Sequence, residues 1–160
     1  MAVNVSLVQF RQADFADTVV RIVRESGVAP QWLELELTES ILIRDANEAL
    51  ARLHALADLG ISLAIDDFGT GYSSLSYLRH FPVHKLKIDQ SFIQDIGSDE
   101  RGMGVVITII ALAKTLGLDV IAEGVETQAQ LDRLTTEGCG HVQGYLFSKP
   151  LPVELVALYL

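Results

Sequence analysis

Six short apolar runs, near residues 3, 35, 63, 86, 120 and 143, alternate along the chain with segments of helical periodicity. This alternation constrains the fold more than any other feature. Strands separated by helices pair as parallel neighbours, because each crossover must carry the chain back to the start of the sheet. Two architectures satisfy that demand: an open doubly wound sheet and a (β/α)8 barrel. The open sheet usually carries a glycine-rich phosphate loop after its first strand. Here Asn4 follows Val3, and no Gly-x-Gly-x-x-Gly segment occurs anywhere.

Local signals set the expected boundaries. Asp14 opens a helical pattern through Phe15, Val19, Ile22 and Val23 that stops at Gly27 and Pro30, and residues 32–37 read as a strand. Asp45 with Glu48 makes a capping box for a helix over 46–59, closed by Gly60 and followed by a strand over 61–65. A short helix is predicted over 73–80, a strand over 83–88, a long apolar helix over 103–116 closed by Gly117, and a strand over 118–122. Thr127 with Gln130 is a second capping box, whose helix ends at Gly138. The last strand is expected over 141–146 and a terminal helix over 153–160.

Asn4, Glu36, Asp66 with Asp67, Lys87 with Asp89, Glu123 with Glu126, and Gln143 all fall at or just past the C-terminal end of an inferred strand. In a (β/α)8 barrel those ends converge on one face, so groups far apart in sequence meet in one cleft. The fold predicted is therefore α/β, an incomplete (β/α)8 TIM-type barrel of six parallel βα units, forming a single partial domain over residues 1–160. Carboxylates gathered this closely raise one another's pKa, and cations relieve the repulsion. Oxygen donors from Asp, Glu and Asn suit Mg2+ or Mn2+, and no His or Cys cluster with zinc spacing competes with them. The adjacent pair Asp66 and Asp67 is what a two-metal site requires, one carboxylate bridging ions about 3.5–4 Å apart while its neighbour holds the second. Such a site clamps the attacking and leaving oxygens of a phosphoryl transfer.

Taken singly, several of these residues have a plain structural reading. The alternation over 32–37 fits a half-solvated strand, Lys87 a snorkelling side chain, and Gln143 a satisfied core amide. The segment Asp67-Phe68-Gly69-Thr70-Gly71-Tyr72-Ser73-Ser74 fits a plain βα loop. It fits equally a lid beside the metals, with glycines for the backbone turns and a helix N-terminus facing an anion.

Composition narrows the partners. With 21 acids against 12 bases and a net charge of -9, the chain is no general binder of nucleic-acid polymers, and a phosphate ligand would need metal ions. Cys139 stands alone, so no intrachain disulfide is possible and a cytoplasmic setting is expected. The longest strongly apolar stretch, 105–113, is far short of the roughly 20 residues needed for a membrane span.

Six segments together carry a resemblance: Asn4-Val5-Ser6, Glu36-Leu37-Thr38-Glu39-Ser40, Asp66 to Tyr72 (DDFGTGY), Lys85-Leu86-Lys87-Ile88-Asp89, Glu123-Gly124-Val125-Glu126 and Gln143-Gly144-Tyr145. In order and spacing they resemble the EAL-domain cyclic-di-GMP phosphodiesterase family over nearly the whole chain. The resemblance implies a metal-dependent phosphodiesterase that opens cyclic-di-GMP to linear 5′-pGpG with two Mg2+ or Mn2+ ions. It also implies residue roles. Asn4, Glu36 and Asp66 would hold one metal, and Asp66, Asp67 and Glu123 the other. Lys87 would orient or help activate the attacking water, with Glu126, Gln143 and Asp89 supporting the water network and the cleft. Glu39 would brace the loop of Phe68, Gly69, Thr70 and Gly71, which this family associates with dimer coupling.

The family's Glu-Ala-Leu strand does not precede Asn4. A whole barrel takes about 250 residues, so the first two βα units and one metal ligand are expected to be missing from this sequence. The edges at 3–5 and 141–146 would then be unpaired, and the chain alone unstable, oligomeric or inactive. A homodimer or further domains of a longer chain are the expected partners besides cyclic-di-GMP. Two alternatives remain in view: a catalytically inactive EAL-type cyclic-di-GMP receptor or interaction module, and another metal-assisted barrel enzyme such as an enolase-like lyase.

Overall fold

The computed structural model describes residues 1–43, 46–71, 78–96 and 100–156. All six expected strands form: β1 (Ala2–Val5), β2 (Glu34–Thr38), β3 (Ser62–Phe68), β4 (Lys85–Ile88), β5 (Asp119–Glu123) and β6 (His141–Gln143). They make one sheet in the order β1-β2-β3-β4-β5-β6, parallel at every step. Strictly sequential parallel order is the order of a βα barrel, since each crossover places the next strand on the same side of the last.

Alternation along the strands divides the sheet into two unlike faces. Val5, Leu35, Leu37, Leu63, Ile65, Leu86, Ile88, Val120 and Ala122 are buried and share one core with the helix residues Leu53, Leu56, Val106, Ile110, Ala113 and Leu134. The intervening positions carry Asn4, Glu34, Glu36, Ser62, Asp66, Lys85, Lys87, Glu123 and Gln143. A parallel sheet covered by helices on both faces would read as unbroken apolar runs. Here helices cover one face, and the polar face is the inner side of the curving sheet. Two ionic layers lie on it. At the strand starts Lys85 donates to Glu34 at 2.7 Å, with Ser62 donating to the same Oε2 at 3.1 Å; nearer the strand ends stand Glu36, Asp66, Lys87 and Glu123.

Among the described residues the helices are α1 (Leu7–Phe10), α2 (Phe15–Ser26), α3 (Glu39–Ile43), α4 (Ala46–Ala57), α5 (Gln90–Gln94), α6 (Glu100–Leu116), α7 (Gln128–Thr136) and α8 (Val153–Val156). The long ones follow the sequence signals. Gly27 ends α2 in the left-handed region at φ 69°, and Thr127 with Gln130 forms the capping box of α7. Several boundaries differ from expectation. Pro30–Trp32 is a 3-10 turn, so β2 begins only at Glu34; β3 continues through Phe68; and β6 stops at Gln143. The one-turn helices α1, α3 and α5 were not anticipated, being too short to show periodicity. Ser6 and Asp89 nevertheless cap α1 and α5, and Asp89 accepts from the Ser91 amide at 2.9 Å. The capping residue Asp45, most of the helix expected over 73–80 and the end of that expected over 153–160 lie outside the described residues.

Among the described residues β1 and β6 each have one sheet neighbour, as expected of the edges. Beside β1, an apolar groove of about 370 Å³ runs between the strand and α2, with Val3 and Ile22 exposed along it. Position in the core sets the cost of truncation. Leu86→Ala, at a fully buried site, is expected to lower unfolding free energy by about 2–5 kcal/mol in urea titrations. Ile22→Ala, on the exposed side of α2, is expected to change it by no more than about 0.5 kcal/mol.

Candidate metal centre

Successive residues of a regular strand face opposite ways, so two adjacent acids should not reach one site. β3 breaks the rule with a bulge. Its register against β4 runs from Ile65↔Leu86 to Phe68↔Ile88, three residues on one strand against two on the other. Asp67 absorbs the irregularity at φ 52°, the one positive φ of a non-glycine among the described residues, and aspartate is among the few side chains that tolerate it. Asp66 and Asp67 therefore both present oxygens at the rim. With Glu123 they form a set whose three ligand atoms lie within 4.8 Å of one another. A compact set of hard oxygen donors fits a divalent cation such as Mg2+ or Mn2+.

Beneath this set Lys87, 4% exposed, joins three strands. Its Nζ lies 2.9 Å from Glu36 Oε1, 2.9 Å from Asp66 Oδ1 and 2.8 Å from Glu123 Oε1. Burial alone would favour neutral lysine, but the hydrogen bonds to Glu123, Glu36 and Asp66 outweigh it and hold the pKa above the ordinary lysine value. Burial lifts the Glu123 carboxyl above its usual range, and Lys87 offsets this only in part. Asp67 is raised too, by burial, by the charge of Asp66 and by a hydrogen bond with Asp89. Asp89 shifts the other way: burial pulls it up, but bonds from the Ser91 hydroxyl and amide, from Asp67 and from the Gln90 amide prevail.

Beside the acids opens a cleft of about 360 Å³, which gathers Asp67, Asp89, Glu123, Glu126 and Gln143 from four strand ends. Asn4 stands in register with Glu36 on the exposed edge strand β1. Glu39, 3% exposed, accepts from the Gly69 and Gly71 amides at 3.2 and 3.3 Å through Oε2. A Cβ on Gly71 would sit 2.9 Å from Glu39 Oε1, so glycine lets the backbone come this near. Phe68 is buried in the core as the last residue of β3 rather than part of a loop, while Thr70 is exposed and donates to the Asp67 carbonyl at 2.8 Å. Residues 72–74 of the expected loop lie outside the described residues.

Sequence reasoning assigned no role to Gln90, Gly124, Gly144, Tyr145 or Pro150, which also line the cleft. The glycines carried a signal. Gly124 holds φ 74° and a Cβ there would fall 2.6 Å from that of Gln90, so this position in Glu-Gly-Val-Glu brings the loop after β5 against the start of α5.

Comparison with known proteins agrees with this geometry. The EAL domain profile matches residues 1–150. The bifunctional diguanylate cyclase/cyclic di-GMP phosphodiesterase MucR of Pseudomonas aeruginosa is 45% identical over 154 residues, covering 96% of this chain and 22% of MucR. Cyclic di-GMP phosphodiesterase NbdA of the same organism is 46% identical over 160 residues, covering 100% of this chain and 20% of NbdA. The chain thus spans about a fifth of the length of these curated relatives. A solved structure of the MucR phosphodiesterase in complex with c-di-GMP matches with a TM-score of 0.94 at 44% identity, over 97% of this chain and 63% of that one. Klebsiella pneumoniae BlrP1, solved with manganese and cyclic-di-GMP, matches with a TM-score of 0.83 at 33% identity, over 93% of this chain and 38% of that one.

The raised acids make cation binding depend on pH. Asp67 and Glu123 hold protons to higher pH than ordinary carboxyls, so in the metal-free chain their contribution to stability is present at low pH and fades as pH rises through their raised values. A cation must displace those protons. Calorimetric Mn2+ titrations in buffers of unlike ionisation enthalpy are expected to show tighter binding with rising pH, with more protons released at about pH 5 than at about pH 8. Proton release that did not vary with pH would contradict the assignment.

Proposed function

Because the chain belongs to the EAL domain family, we propose that it forms the larger part of a cyclic-di-GMP phosphodiesterase site, which hydrolyses cyclic-di-GMP to linear 5′-pGpG with two Mg2+ or Mn2+ ions. One observation carries the reading: Asp66, Asp67 and Glu123 converge beside a polar cleft at the C-terminal ends of parallel strands. Supporting it, relatives that carry this domain are named cyclic di-GMP phosphodiesterases, and similar structures hold c-di-GMP.

In this reading Asn4, Glu36 and Asp66 would hold one cation, and Asp66, Asp67 and Glu123 would hold the other. The cations, when bound, neutralise phosphate charge and stabilise the attacking and leaving oxygens. Lys87 is held as an ammonium by its three acids, so it orients the attacking water and adds positive charge rather than removing a proton. Glu126 and Gln143 face the cleft from the ends of neighbouring strands and position water and the ligand; Asp89 holds its place as the cap of α5 while bonded to Asp67. Glu39 keeps the backbone at Gly69 and Gly71 in place beside the metals.

In this reading the domain works as a homodimer or within a chain with further domains; the relatives, about five times as long as this chain, support the latter. A cytoplasmic setting belongs to the same reading, since Cys139 is a buried free thiol of the kind a reducing compartment maintains. No helix among the described residues is long and apolar enough to cross a membrane.

The test is a hybrid joining this chain to the part of the solved MucR domain that the match leaves uncovered. With Mn2+ it is expected to convert cyclic-di-GMP to 5′-pGpG on chromatography, and Asp66→Asn to lower the rate by roughly a hundredfold or more. Intact substrate would refute the hydrolase, and saturable binding without product would make the domain a receptor.

A further inference from the structure

The capping box at the start of α7 does more than begin a helix. In the usual box the third residue accepts from the N-cap amide alone. Gln130 Oε1 accepts from two amides, Glu126 at 2.8 Å and Thr127 at 3.0 Å. Its Nε2 donates to the Ile93 carbonyl on α5 at 3.0 Å, 37 residues away in sequence. The side chain is buried, and Ile93 is fully so. The loop between β5 and α7 is thereby tied to the helix that Asp89 caps.

The other side of the loop is held as firmly. The Val125 amide donates to the Gln143 carbonyl at 3.1 Å, and the Leu146 amide donates to the Val125 carbonyl at 3.0 Å. Gly144 packs so closely that a Cβ there would lie 2.1 Å from the Val125 oxygen. Glu123 and Glu126 thus flank a segment clamped between α5 and the loop that follows β6. Gly124 packs against Gln90 at the start of α5, and among the described residues the hydrogen bond to α5 comes from Gln130: a carboxamide of glutamine length has both an oxygen that accepts twice and an N–H that donates.

We infer that Gln130 is a positioning residue for the cleft: its amide fixes the backbone at Glu126 against α5, and so sets the separation between Glu126 and Asp89. The inference rests on the phosphodiesterase reading. A buried polar group that supplies three hydrogen bonds to backbone leaves all three partners unsatisfied when it is lost, and a reacting geometry displaced by about an ångström costs roughly a hundredfold in rate.

The hybrid with MucR provides the test. Gln130→Met keeps the length of the side chain and removes all three bonds. It is expected to lower kcat roughly 10- to 100-fold, to leave KM for cyclic-di-GMP within about twofold, and to speed hydrogen exchange of the Glu126 and Thr127 amides at least about tenfold. Thr127→Ala loses only the hydroxyl that accepts from the Gln130 amide at 3.3 Å. It is expected to lower the melting temperature yet hold kcat within about threefold. If Gln130→Met does not fold, Gln130→Glu, which keeps both acceptor bonds and loses the donor to Ile93, is measured in its place against the same expected fall in kcat. Loss of kcat in the Gln130 variant no greater than in Thr127→Ala overturns the proposal. If the unmodified hybrid does not hydrolyse cyclic-di-GMP, it is the hydrolase reading that fails. The role of Gln130 is then read from exchange alone, and unchanged protection of the two amides in Gln130→Met overturns it.

Discussion

Three carboxylates from three strands meet one ammonium on the inner face of the sheet, and the rest of the site is arranged around that contact. Glu36, Asp66 and Glu123 could not be desolvated together without a cation, because each would raise the pKa of the others. Lys87 supplies one positive charge from within the barrel wall. It fastens β2, β3 and β5 to β4 at the level where the strands end, and it leaves the rim above it negative. That residual charge suits the oxygen cluster of Asp66, Asp67 and Glu123 to a divalent cation. A buried ionic group of this kind is costly to assemble and is poor evidence of stability by itself. Through Glu123 it reaches the cleft that Asp67 also lines.

The apolar face makes this arrangement possible. Leu37, Leu63, Ile65, Leu86 and Ile88 are almost completely buried under the helices, and they anchor the strands whose alternate positions carry the charges. Fixing the register by the core also fixes the height of each acid on the inner face, since a slip of one residue would exchange the two faces. Among the described residues the bulge in β3 breaks that alternation, and it brings Asp66 and Asp67 into one oxygen cluster with Glu123. Around the rim, short helices and close glycine contacts hold the loops. Glu39 grips the backbone amides at Gly69 and Gly71, Asp89 caps α5, and Gly124 and Gly144 let neighbouring loops touch.

Much of the fold was legible in the residues themselves. Strand number, parallel order and the long helices follow from apolar periodicity and from capping residues such as Thr127, Gln130 and Gly27, all of which are local signals. The short helices α1, α3 and α5 were not legible, because four or five residues span less than two turns of a helix. The trimming of β6 to Gln143 and the turn at Pro30–Trp32 were likewise hidden: Trp32 has strand propensity, but the turn that precedes β2 takes it out of the sheet.

The sequence by itself determined which residues could do the chemistry, since acids at the ends of apolar strands in a βα chain must lie near one rim. Only the tertiary structure decided how they meet. That Asp66 and Asp67 face the same way depends on a bulge set by pairing with β4, and a bulge has no signature in the strand that carries it. That Lys87 bonds three acids at once, and that Gln130 reaches Ile93, depends on distances between residues remote in sequence, which curvature and packing alone set.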